Sequence, residues 1–471
     1  MPHVMSVRER VLLLTLSGSQ LLLILDGTIV NTAIPRAQQA LGIPDVHRQW
    51  IVTAYALAFG AMLLIGGRVA DYWGRKRTFI LGLAVFGAAS AWGGLAHSGF
   101  ELIVARAMQG AAAGLMSPAG TSLVSVTFPR GNARRVAFAV IGAVVSCGAA
   151  IGSVLGGVLT EFASWRWCLA VNVPIVALAL VASAVILTES RAEGKTRYDF
   201  AGAGAIGIGM TSLVYGLSLS GSGWLASGAL AFTCAGVVMI SVFVLIEHRS
   251  RAPLLPLGII ANRNRGGSML VQAMTGAAVA SLTMYSVLYM QLALGMSPLA
   301  AGLGMLPMAV SSGLTVPVLV KLLPRIGPKV MMVGGPVVAV GGILWTAQAA
   351  TNHDYWSGLF PGLVVAGIGF SGVWAPSQNV ALFGVASSDA GAAAAACNAA
   401  NQLGGSVGLA TLTNLFLVAS GNGASPSAQA AGYAATCIGA AAALLVAAVL
   451  AFTMLRIPRE DLVAMMGGAP H

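Results

Sequence analysis

The amino-acid sequence predicts an all-α polytopic membrane protein with fourteen transmembrane helices. Of its 471 residues, 57% are hydrophobic and only 8% are charged, against about 25% charged residues in an average soluble domain. Apolar stretches of about 20 residues, the length of a membrane-spanning helix, follow one another along the whole chain. The mean hydropathy of +0.85 agrees with this pattern. The composition argues strongly against a water-soluble enzyme.

The predicted spans are separated by charged residues, proline or glycine. The first resembles a secretory signal because two arginines precede it, but it continues to Pro35 and has no small-residue cleavage site, so we expect it to be retained. The shortest connections fall near 97–100 and 220–224. The spans are predicted near 11–35, 49–70, 78–97, 100–125, 134–160, 165–188, 200–220, 224–246, 267–294, 299–323, 329–350, 355–380, 390–419 and 428–455.

The distribution of positive charge predicts that both termini are cytoplasmic. Cytoplasmic loops of membrane proteins retain an excess of Lys and Arg. If the amino terminus is inside, every second connection is cytoplasmic. These cytoplasmic segments contain all of the 25 Lys and Arg residues apart from four, Arg36, Arg48, Arg106 and Arg166. The loop at 381–389 departs from the pattern, since it has no cation. The net charge of +11 is therefore explained by membrane topology, and we expect no nucleic-acid partner.

Motifs of soluble binding proteins are missing or out of context. The five cysteines occur singly in apolar stretches and form no CxxC pair, so we interpret them as packing residues and expect no metal site. The segment GAGAIG (Gly202–Gly207) matches the dinucleotide fingerprint, but it leads from a charged loop into an apolar span, so nucleotide binding is not expected. No P-loop lysine motif occurs either, which argues against ATP as the energy source.

A repeat divides the chain into two related halves. The loop after the second span reads GGRVADYWGRKR (Gly66–Arg77), and the loop after the tenth reads VKLLPRIGPK (Val320–Lys329), so that Gly74 corresponds to Gly327. Internal repeats around a central site are typical of transporters. We predict a six-helix bundle at 1–190, two inserted transmembrane helices with cytoplasmic linkers at 191–266, and a second six-helix bundle at 267–471.

Asp26 is the acidic residue that the predicted spans place deepest in the membrane. The other acids and all six histidines fall in loops, tails or near span ends. An ionisable group at the bilayer centre costs about 2.5–3.5 kcal/mol on insertion scales, so a deep acid is a candidate functional group. Arg106 lies at a similar depth, and we expect the two side chains to meet. Burial disfavours the carboxylate and a guanidinium favours it, so such a pair can take up and release a proton as helices separate. The alternative is a fixed ion pair that orients two helices.

The fifth predicted span carries a stripe of small residues. Gly148, Gly152 and Gly156 recur at intervals of four and share one helical face, and Gly157 follows them. Small residues let two helices approach closely. A moving interface and static packing explain the stripe equally well.

These residues resemble the major facilitator superfamily, in particular its fourteen-span branch of drug:proton antiporters, over nearly the whole chain. LDGTIVNTAIP (Leu25–Pro35) is similar to the span 1 signature of the branch, and ARAMQG (Ala105–Gly110) to the R-x-x-Q-G motif of span 4. WRWCLAVNVPI (Trp165–Ile175) and NQLGGSVGLA (Asn401–Ala410) resemble the starts of spans 6 and 13. The loop motif G-x-L-A-D-x-x-G-R-K matches Gly67, Ala70, Asp71, Gly74, Arg75 and Lys76.

The resemblance implies a major facilitator fold, two six-helix bundles plus two inserted helices, that works by alternating access. Asp26 would carry the proton and Arg106 would take part in coupling. Conformational gating would involve the loop motif residues Gly67, Asp71, Gly74, Arg75 and Lys76, together with Gly148, Gly152, Gly156 and Gly157. The proton gradient would supply the energy, without a cofactor. Two departures are notable: Ser153 replaces the proline of the span 5 motif G-P-x-x-G-G, and Asn401 stands where the branch often has arginine.

The expected function is proton-coupled efflux of small lipophilic molecules, as in multidrug or antibiotic resistance. Because span 10 lacks an acid that some relatives use for divalent cations, neutral or monovalent cationic substrates are expected. Polar and aromatic side chains at the depth of the cavity would receive the substrate, although each can equally face a neighbouring helix or lipid: Asn31, Tyr55, Gln109, Tyr285, Tyr289, Trp374, Asn398 and Gln402.

Other functions stay open beside this one. A dedicated exporter of one metabolite or self-made antibiotic is the nearest alternative, followed by an importer. An intramembrane enzyme would need convergent acids, histidines or a nucleophile at depth, which the sequence lacks, and a receptor without transport activity is the last alternative. Arginine far outnumbers lysine, which points to a GC-rich bacterial source and hence to the inner membrane. We expect the protein to be a monomer.

Overall fold

The computed structural model of the protein is built from helices along its described length, namely residues 7–128, 132–191, 199–220, 225, 228–250, 253–352, 354–386, 389–421, 423 and 425–456. A π-helical turn, Tyr355–Leu359, precedes α14. The α-helices are α1 (Val7–Leu41), α2 (Trp50–Trp73), α3 (Arg75–Leu95), α4 (Gly99–Thr127), α5 (Asn132–Phe162), α6 (Trp167–Ala170), α7 (Asn172–Ile186), α8 (Phe200–Leu219), α9 (Ala229–Arg249), α10 (Leu257–Ala261), α11 (Arg263–Leu292), α12 (Pro298–Gly304), α13 (Leu306–Asn352), α14 (Phe360–Leu382), α15 (Ala390–Ser420) and α16 (Pro426–Met454).

We refer to three groups of helices by their order in the chain. The N-terminal set is α1–α7, the inserted pair is α8 and α9, and the C-terminal set is α11–α16. The chain ends at 1–6 and 457–471, predicted to be cytoplasmic, lie outside the described residues. So do several of the basic residues on which that prediction depends: Arg130, Lys195, Arg197, Arg251 and Arg459.

Helices long and apolar enough to cross a membrane, by length and composition, number eleven within the described residues. One of them, Pro298–Ala349, has 52 residues, more than twice the length that a bilayer requires. The helices α3 and α4, with 21 and 29 residues, are not among the eleven. The all-helical membrane fold is thus confirmed, and the count of fourteen spans stays a prediction.

The long helix α13 changes direction at the glycine that the repeat predicts. Gly327 has φ 78° and ψ 159°, which is not helical. Gly74, its counterpart between α2 and α3, has φ 121° and ψ 133°. Residues other than glycine rarely adopt such positive φ values. The two repeated loops therefore share the same backbone requirement.

Polar side chains cap the helices at the short connections. Ser98 accepts a hydrogen bond from the amide of Glu101 and begins α4, at the connection predicted near 97–100. Asp199 caps α8 and Ser297 caps α12 in the same way. Such caps satisfy amide groups that the first helical turn leaves without partners. At the start of the π-helical turn, hydrogen bonds from Ser357 lower the pKa of Asp354 from its usual value.

The glycine stripe of α5 lies against α1, in the same set. Side chains built at Gly148, Gly152 and Gly156 would meet Ile24, Thr28 and the carbonyl of Ile29, all on α1. Gly157 instead lies against Pro298 and Leu299 of α12, in the C-terminal set. The stripe is thus an intra-set packing surface, and only Gly157 contacts the opposite set.

Close packing at this stripe predicts that Gly156→Ala destabilises the protein, because the added methyl group overlaps the Ile29 carbonyl. Overpacking of this kind costs about 1–3 kcal/mol, measured by thermal unfolding of purified protein in detergent. Gly142→Ala on the same helix is the control, since a side chain there has nothing within 4 Å. Equal stability of the two variants would contradict this packing.

Candidate functional site

The structure brings Asp26 and Arg106 together inside the N-terminal set. An Oδ2 of Asp26 accepts a hydrogen bond from Nη1 of Arg106 at 2.6 Å. The residues are 0% and 1% exposed, respectively. Removing both charges from water costs several kcal/mol per ion, so the pair requires further hydrogen bonds to be tolerated.

Two neutral side chains donate hydrogen bonds to Asp26, and a third, Ser90, accepts one from Gln109. Its second oxygen, Oδ1, accepts from Nδ2 of Asn172 at 2.7 Å and from Nε2 of Gln109 at 3.1 Å. Gln109 also accepts from Nη1 of Arg106 at 3.0 Å and donates to Ser90 at 2.7 Å. All of these side chains are buried. We call Asp26, Ser90, Arg106, Gln109 and Asn172 the Asp26 cluster.

The start of α2 completes the surroundings of Arg106. Its Nε donates to the carbonyl of Ile51 at 3.0 Å, and its guanidinium carbon lies 4.5 Å from the ring centroid of Tyr55. The Tyr55 hydroxyl donates to the carbonyl of Leu23 at 3.2 Å. In this conformation Tyr55 and Gln109, predicted to line a substrate cavity, are engaged with the Asp26 cluster.

Sequence reasoning did not assign Ser90 and Asn172 to this site. Both are neutral polar residues, on α3 and α7, and neutral polar residues are common in spanning helices. Asn172 falls within WRWCLAVNVPI, so the motif that marks the start of the sixth predicted span was a signal. No comparable signal points to Ser90.

Hydrogen bonds from the loop motif connect the start of α3 to the end of α7 and the residues just after it. Arg75 pairs with Asp71 at 2.8 Å, and Lys76 Nζ donates to the carbonyls of Ala184 and Leu187 at 2.8 and 2.7 Å. The amide of Lys76 also donates to Glu189 at 3.1 Å. These contacts lie within the N-terminal set.

Two glycines of the loop motif serve the same junction differently. A side chain at Gly74 would lie 2.6 Å from the carboxyl carbon at the end of the Glu189 side chain, and the positive φ of 121° requires glycine there. Gly67 has more room, since a side chain there would lie 3.8 Å from Pro118. The geometry thus singles out Gly74 as the more constrained position.

The predicted cavity tyrosines of α11 are packed in aromatic pairs. Tyr285 stacks on Phe416 with centroids 4.7 Å apart, and Tyr289 stacks on Tyr433 at 4.6 Å. Tyr285 and Tyr289 are 0% and 2% exposed. Both side chains are therefore buried in this conformation, and Tyr285 also lies beside Arg48 from the connection between α1 and α2.

The remaining predicted cavity residues differ in exposure. Trp374 and Asn398 are exposed, and Gln402 is half-buried. Asn398 accepts a hydrogen bond from Gln378 at 2.9 Å. Asn31 is buried and donates to the carbonyl of Gly27 at 3.5 Å. Trp374, Asn398 and Gln402 are therefore the residues of this group that remain accessible.

Arg48 is a buried cation that sequence reasoning left in an outer loop. It is 1% exposed, and its guanidinium carbon lies 4.8 Å from the Phe416 ring centroid and 5.7 Å from that of Tyr285. Asp45 is 3.3 Å from its Nη1. Arg48, which lies between α1 and α2, thus contacts the C-terminal set. Its position in a loop of the sequence does not predict this contact.

A family model described as Major Facilitator Superfamily matches residues 16–409. The chain belongs to the major facilitator superfamily. This confirms the superfamily resemblance, while membership of the fourteen-span branch stays a prediction. The family consists of transporters, which agrees with the many membrane-length helices.

Similar sequences within the superfamily include proteins named for antibiotics. The chain is 38% identical over 458 residues to the puromycin resistance protein pur8 of Streptomyces alboniger, covering 94% of this chain and 90% of that protein. It is 35% identical over 434 residues to the cephamycin export protein CmcT of Amycolatopsis lactamdurans, covering 91% and 89%. The lincomycin resistance protein of Streptomyces lincolnensis is 34% identical, covering 86% and 84%.

Solved structures of transporters share the fold. A bacterial homolog of the human lysosomal transporter Spinster, in an inward-facing and unoccupied conformation, matches with a TM-score of 0.66 at 15% identity, covering 98% of this chain and 99% of that chain. A peptide transporter, POT, matches with a TM-score of 0.68 at 14% identity, covering 93% of both chains. At these identities the likeness concerns the fold alone.

The Asp26 cluster predicts that Asn172→Leu destabilises the protein. The variant removes a hydrogen bond to a charged group, worth about 1.5–3 kcal/mol, and thermal unfolding in detergent measures the loss. In an Asp26→Asn background the loss should be smaller, because the charged acceptor is gone.

Asn414→Leu provides the control for this cycle, since Asn414 bonds the Leu217 carbonyl and the Ser220 hydroxyl far from Asp26. Its effect should add to that of Asp26→Asn. If the destabilisation by Asn172→Leu also adds to that of Asp26→Asn, the proposed interaction between Asn172 and Asp26 is contradicted.

Proposed function

We propose that the protein exports small lipophilic molecules, neutral or monovalent cationic, in exchange for protons. The observation that carries this proposal is the Asp26–Arg106 pair, buried at the meeting point of five helices. Similarity to resistance and export proteins supports export over import. The proton gradient is then the energy source, and no cofactor is required.

The Asp26 cluster suits a proton carrier because its hydrogen bonds depend on helix positions. Arg106 and Gln109 come from α4, Ser90 from α3 and Asn172 from α7, whereas Asp26 is on α1. A shift of α1 relative to α4 would lengthen the ion pair and favour the protonated carboxyl. Since Asp26 is 0% exposed here, proton exchange with water requires a second conformation in which these helices separate.

The contacts between the two sets at the predicted extracellular end suit alternating access. Oε2 of Glu161, at the end of α5, accepts from Ser297 Oγ at 2.6 Å and from the amide of Leu299 at 2.9 Å. Gln291 donates to the carbonyl of Thr32 at 3.0 Å. These few polar contacts, with Arg48 on its aromatic stack, hold this end closed and must break for export.

The energy available to such a cycle is sufficient for useful efflux. Moving one elementary charge through 100 mV supplies about 2.3 kcal/mol. This corresponds to roughly 50-fold accumulation. One proton per cycle at Asp26 is enough on this basis.

A dedicated exporter of a single antibiotic is the second candidate function. It is favoured by the names of similar proteins, which specify puromycin, cephamycin and lincomycin individually. A panel of chemically unrelated compounds separates the two functions, because a dedicated exporter would protect cells against one compound only.

The remaining proposals concern the setting of the transporter. We place it in the inner membrane of a bacterium, as a monomer with both termini in the cytoplasm, organised as bundles at 1–190 and 267–471 with the insertion at 191–266. Trp374, Asn398 and Gln402 would contact substrate. Neither enzymatic activity nor nucleic-acid binding belongs to this function.

Asp26→Asn should abolish puromycin efflux driven by a pH gradient in reconstituted vesicles, since the side chain can no longer take up a proton. Counterflow of labelled puromycin, which needs no net proton movement, should persist and show that the protein is folded. Glu101→Gln is the control, because Glu101 caps α4 away from the cluster. Unchanged driven efflux in Asp26→Asn would remove this residue from the coupling role.

A thiol linker across the predicted extracellular end should stop transport. In a background lacking the native cysteines, Glu161→Cys with Ser297→Cys joins α5 to α12, and a short cleavable bifunctional linker should abolish puromycin efflux until it is cleaved. The control pair Ser312→Cys with Ser371→Cys lies within the C-terminal set, where the hydroxyls are 2.9 Å apart. Full transport by the linked 161–297 variant would refute opening at this end.

A further inference from the structure

Glu247 is a buried acid that the proposed function does not use. It lies in the last turn of α9, where the sequence placed it at a span end, and it is 3% exposed. Its Oε2 accepts from the amide of Leu255 at 3.1 Å. Among the described residues its other oxygen, Oε1, has no hydrogen-bond partner. A buried polar atom in this state requires an explanation.

Asp199 presents a second such oxygen to the same place. It caps α8, with Oδ1 accepting from the amide of Gly202 at 2.7 Å. Its Oδ2 is buried and, within the described part of the chain, also lacks a partner. Two carboxyl groups thus lie where α8 begins and α9 ends. In each of them, one oxygen accepts a hydrogen bond and the other has no partner among the described residues.

Gly202 lies between the two unsatisfied oxygens. A side-chain carbon built on Gly202 would be 2.9 Å from Oε1 of Glu247 and 3.1 Å from Oδ2 of Asp199. Both oxygens therefore lie about 3 Å from the position of a Cβ atom at residue 202, and a side chain there would be too close to each of them. The first glycine of GAGAIG, which matched a nucleotide fingerprint, thus lies beside two carboxyl groups that would have to move if it carried a side chain.

The charges around this pair favour one bound proton. Within the described residues, the charged side chains that act on Glu247 are Asp199 at the start of α8 and Arg68 on α2. The loop after α9 contributes the amides of Leu254 and Leu255, and α10 carries no titratable residue. Burial of Glu247 and the neighbouring carboxylate of Asp199 both disfavour a negative charge on Glu247, so a bound proton is favoured there.

We propose that Glu247 and Asp199 form a proton-binding site in which one proton is shared between Oε1 of Glu247 and Oδ2 of Asp199. Uptake of the proton forms one O–H bond and one hydrogen bond. Both unsatisfied oxygens acquire a partner in that single step. Release of the proton leaves two carboxylates beside Arg68.

The position of the site gives it a regulatory role in transport. Arg68 lies on α2, at the second position of the loop motif, and donates to the carbonyl of Pro253. Asp389, at the start of α15, also acts on Arg68. Release of the proton strengthens the attraction of Arg68 to the inserted pair at the expense of its other contacts. Proton occupancy therefore links pH at the predicted cytoplasmic end to contacts between the N-terminal and C-terminal sets.

Infrared spectroscopy of the purified full-length protein tests the site without transport. At about pH 7 the wild type should show a protonated carboxyl band that shifts in D2O. Glu247→Gln should lose one protonated carboxyl per molecule, and Gly202→Ala should shift or abolish the band by separating the oxygens. Glu101→Gln and Asp26→Asn should retain it.

Two results would overturn this proposal. One is the absence of the band in the wild type, or its persistence unchanged in Glu247→Gln. The other is removal of the band by sodium chloride but not by an equal concentration of choline chloride, which would assign the site to a metal cation.

The regulatory role rests on the proposed function and has its own measurement. Puromycin efflux by Glu247→Gln vesicles should lose its dependence on pH at the predicted cytoplasmic side while a driven flux remains. An unchanged pH dependence would refute the regulatory role. Failure of the proposed function itself would appear as absent driven efflux in the wild type, with the infrared band still present.

Discussion

The buried charge of Asp26 constrains much of the N-terminal set. A carboxylate and a guanidinium in an apolar interior are tolerated only when each remaining hydrogen-bonding atom has a partner. The partners come from α1, α2, α3, α4 and α7, and they include a backbone carbonyl, Ile51, as well as side chains. Five helices are thereby held in one relative arrangement. A change in that arrangement alters the energy of the charge, which is the physical basis of the proposed coupling between a proton and a movement of helices.

Small residues make this arrangement possible by allowing α2 and α4 to come close. A side chain at Gly110 would collide with the Tyr55 carbonyl, and one at Gly66 with the Gly114 carbonyl. Without that approach, Arg106 could not reach the start of α2. The same device brings α5 onto α1 at Gly156. Helices in lipid associate through packing and hydrogen bonds and gain little from burying apolar surface. The close backbone contacts and the buried ion pair therefore act together to hold these helices in place.

Two kinds of contact mark the ends of the molecule. At the predicted extracellular end, contacts join the two sets: Glu161 binds the start of α12, and Arg48 lies on the Tyr285–Phe416 stack. At the other end the loop motif joins α3 to α7 within one set, while the inserted pair brings Glu247 close to Arg68 of α2. In the proposed cycle, breaking the contacts of the first kind opens the exit. The contacts of the second kind are the place where we propose that pH at the predicted cytoplasmic end acts on the same movement.

The sequence by itself determined the helical membrane class, the superfamily, the expectation that Asp26 and Arg106 meet, and the equivalence of Gly74 and Gly327. These follow from hydropathy, motif spacing and the positive φ that only glycine adopts readily, all of which are local along the chain. The tertiary structure decided which polar groups meet: Ser90 and Asn172 at Asp26, Arg48 at Phe416, and Glu247 at Asp199. Those pairs join helices far apart in sequence, and hydropathy does not specify how each helix is rotated about its axis.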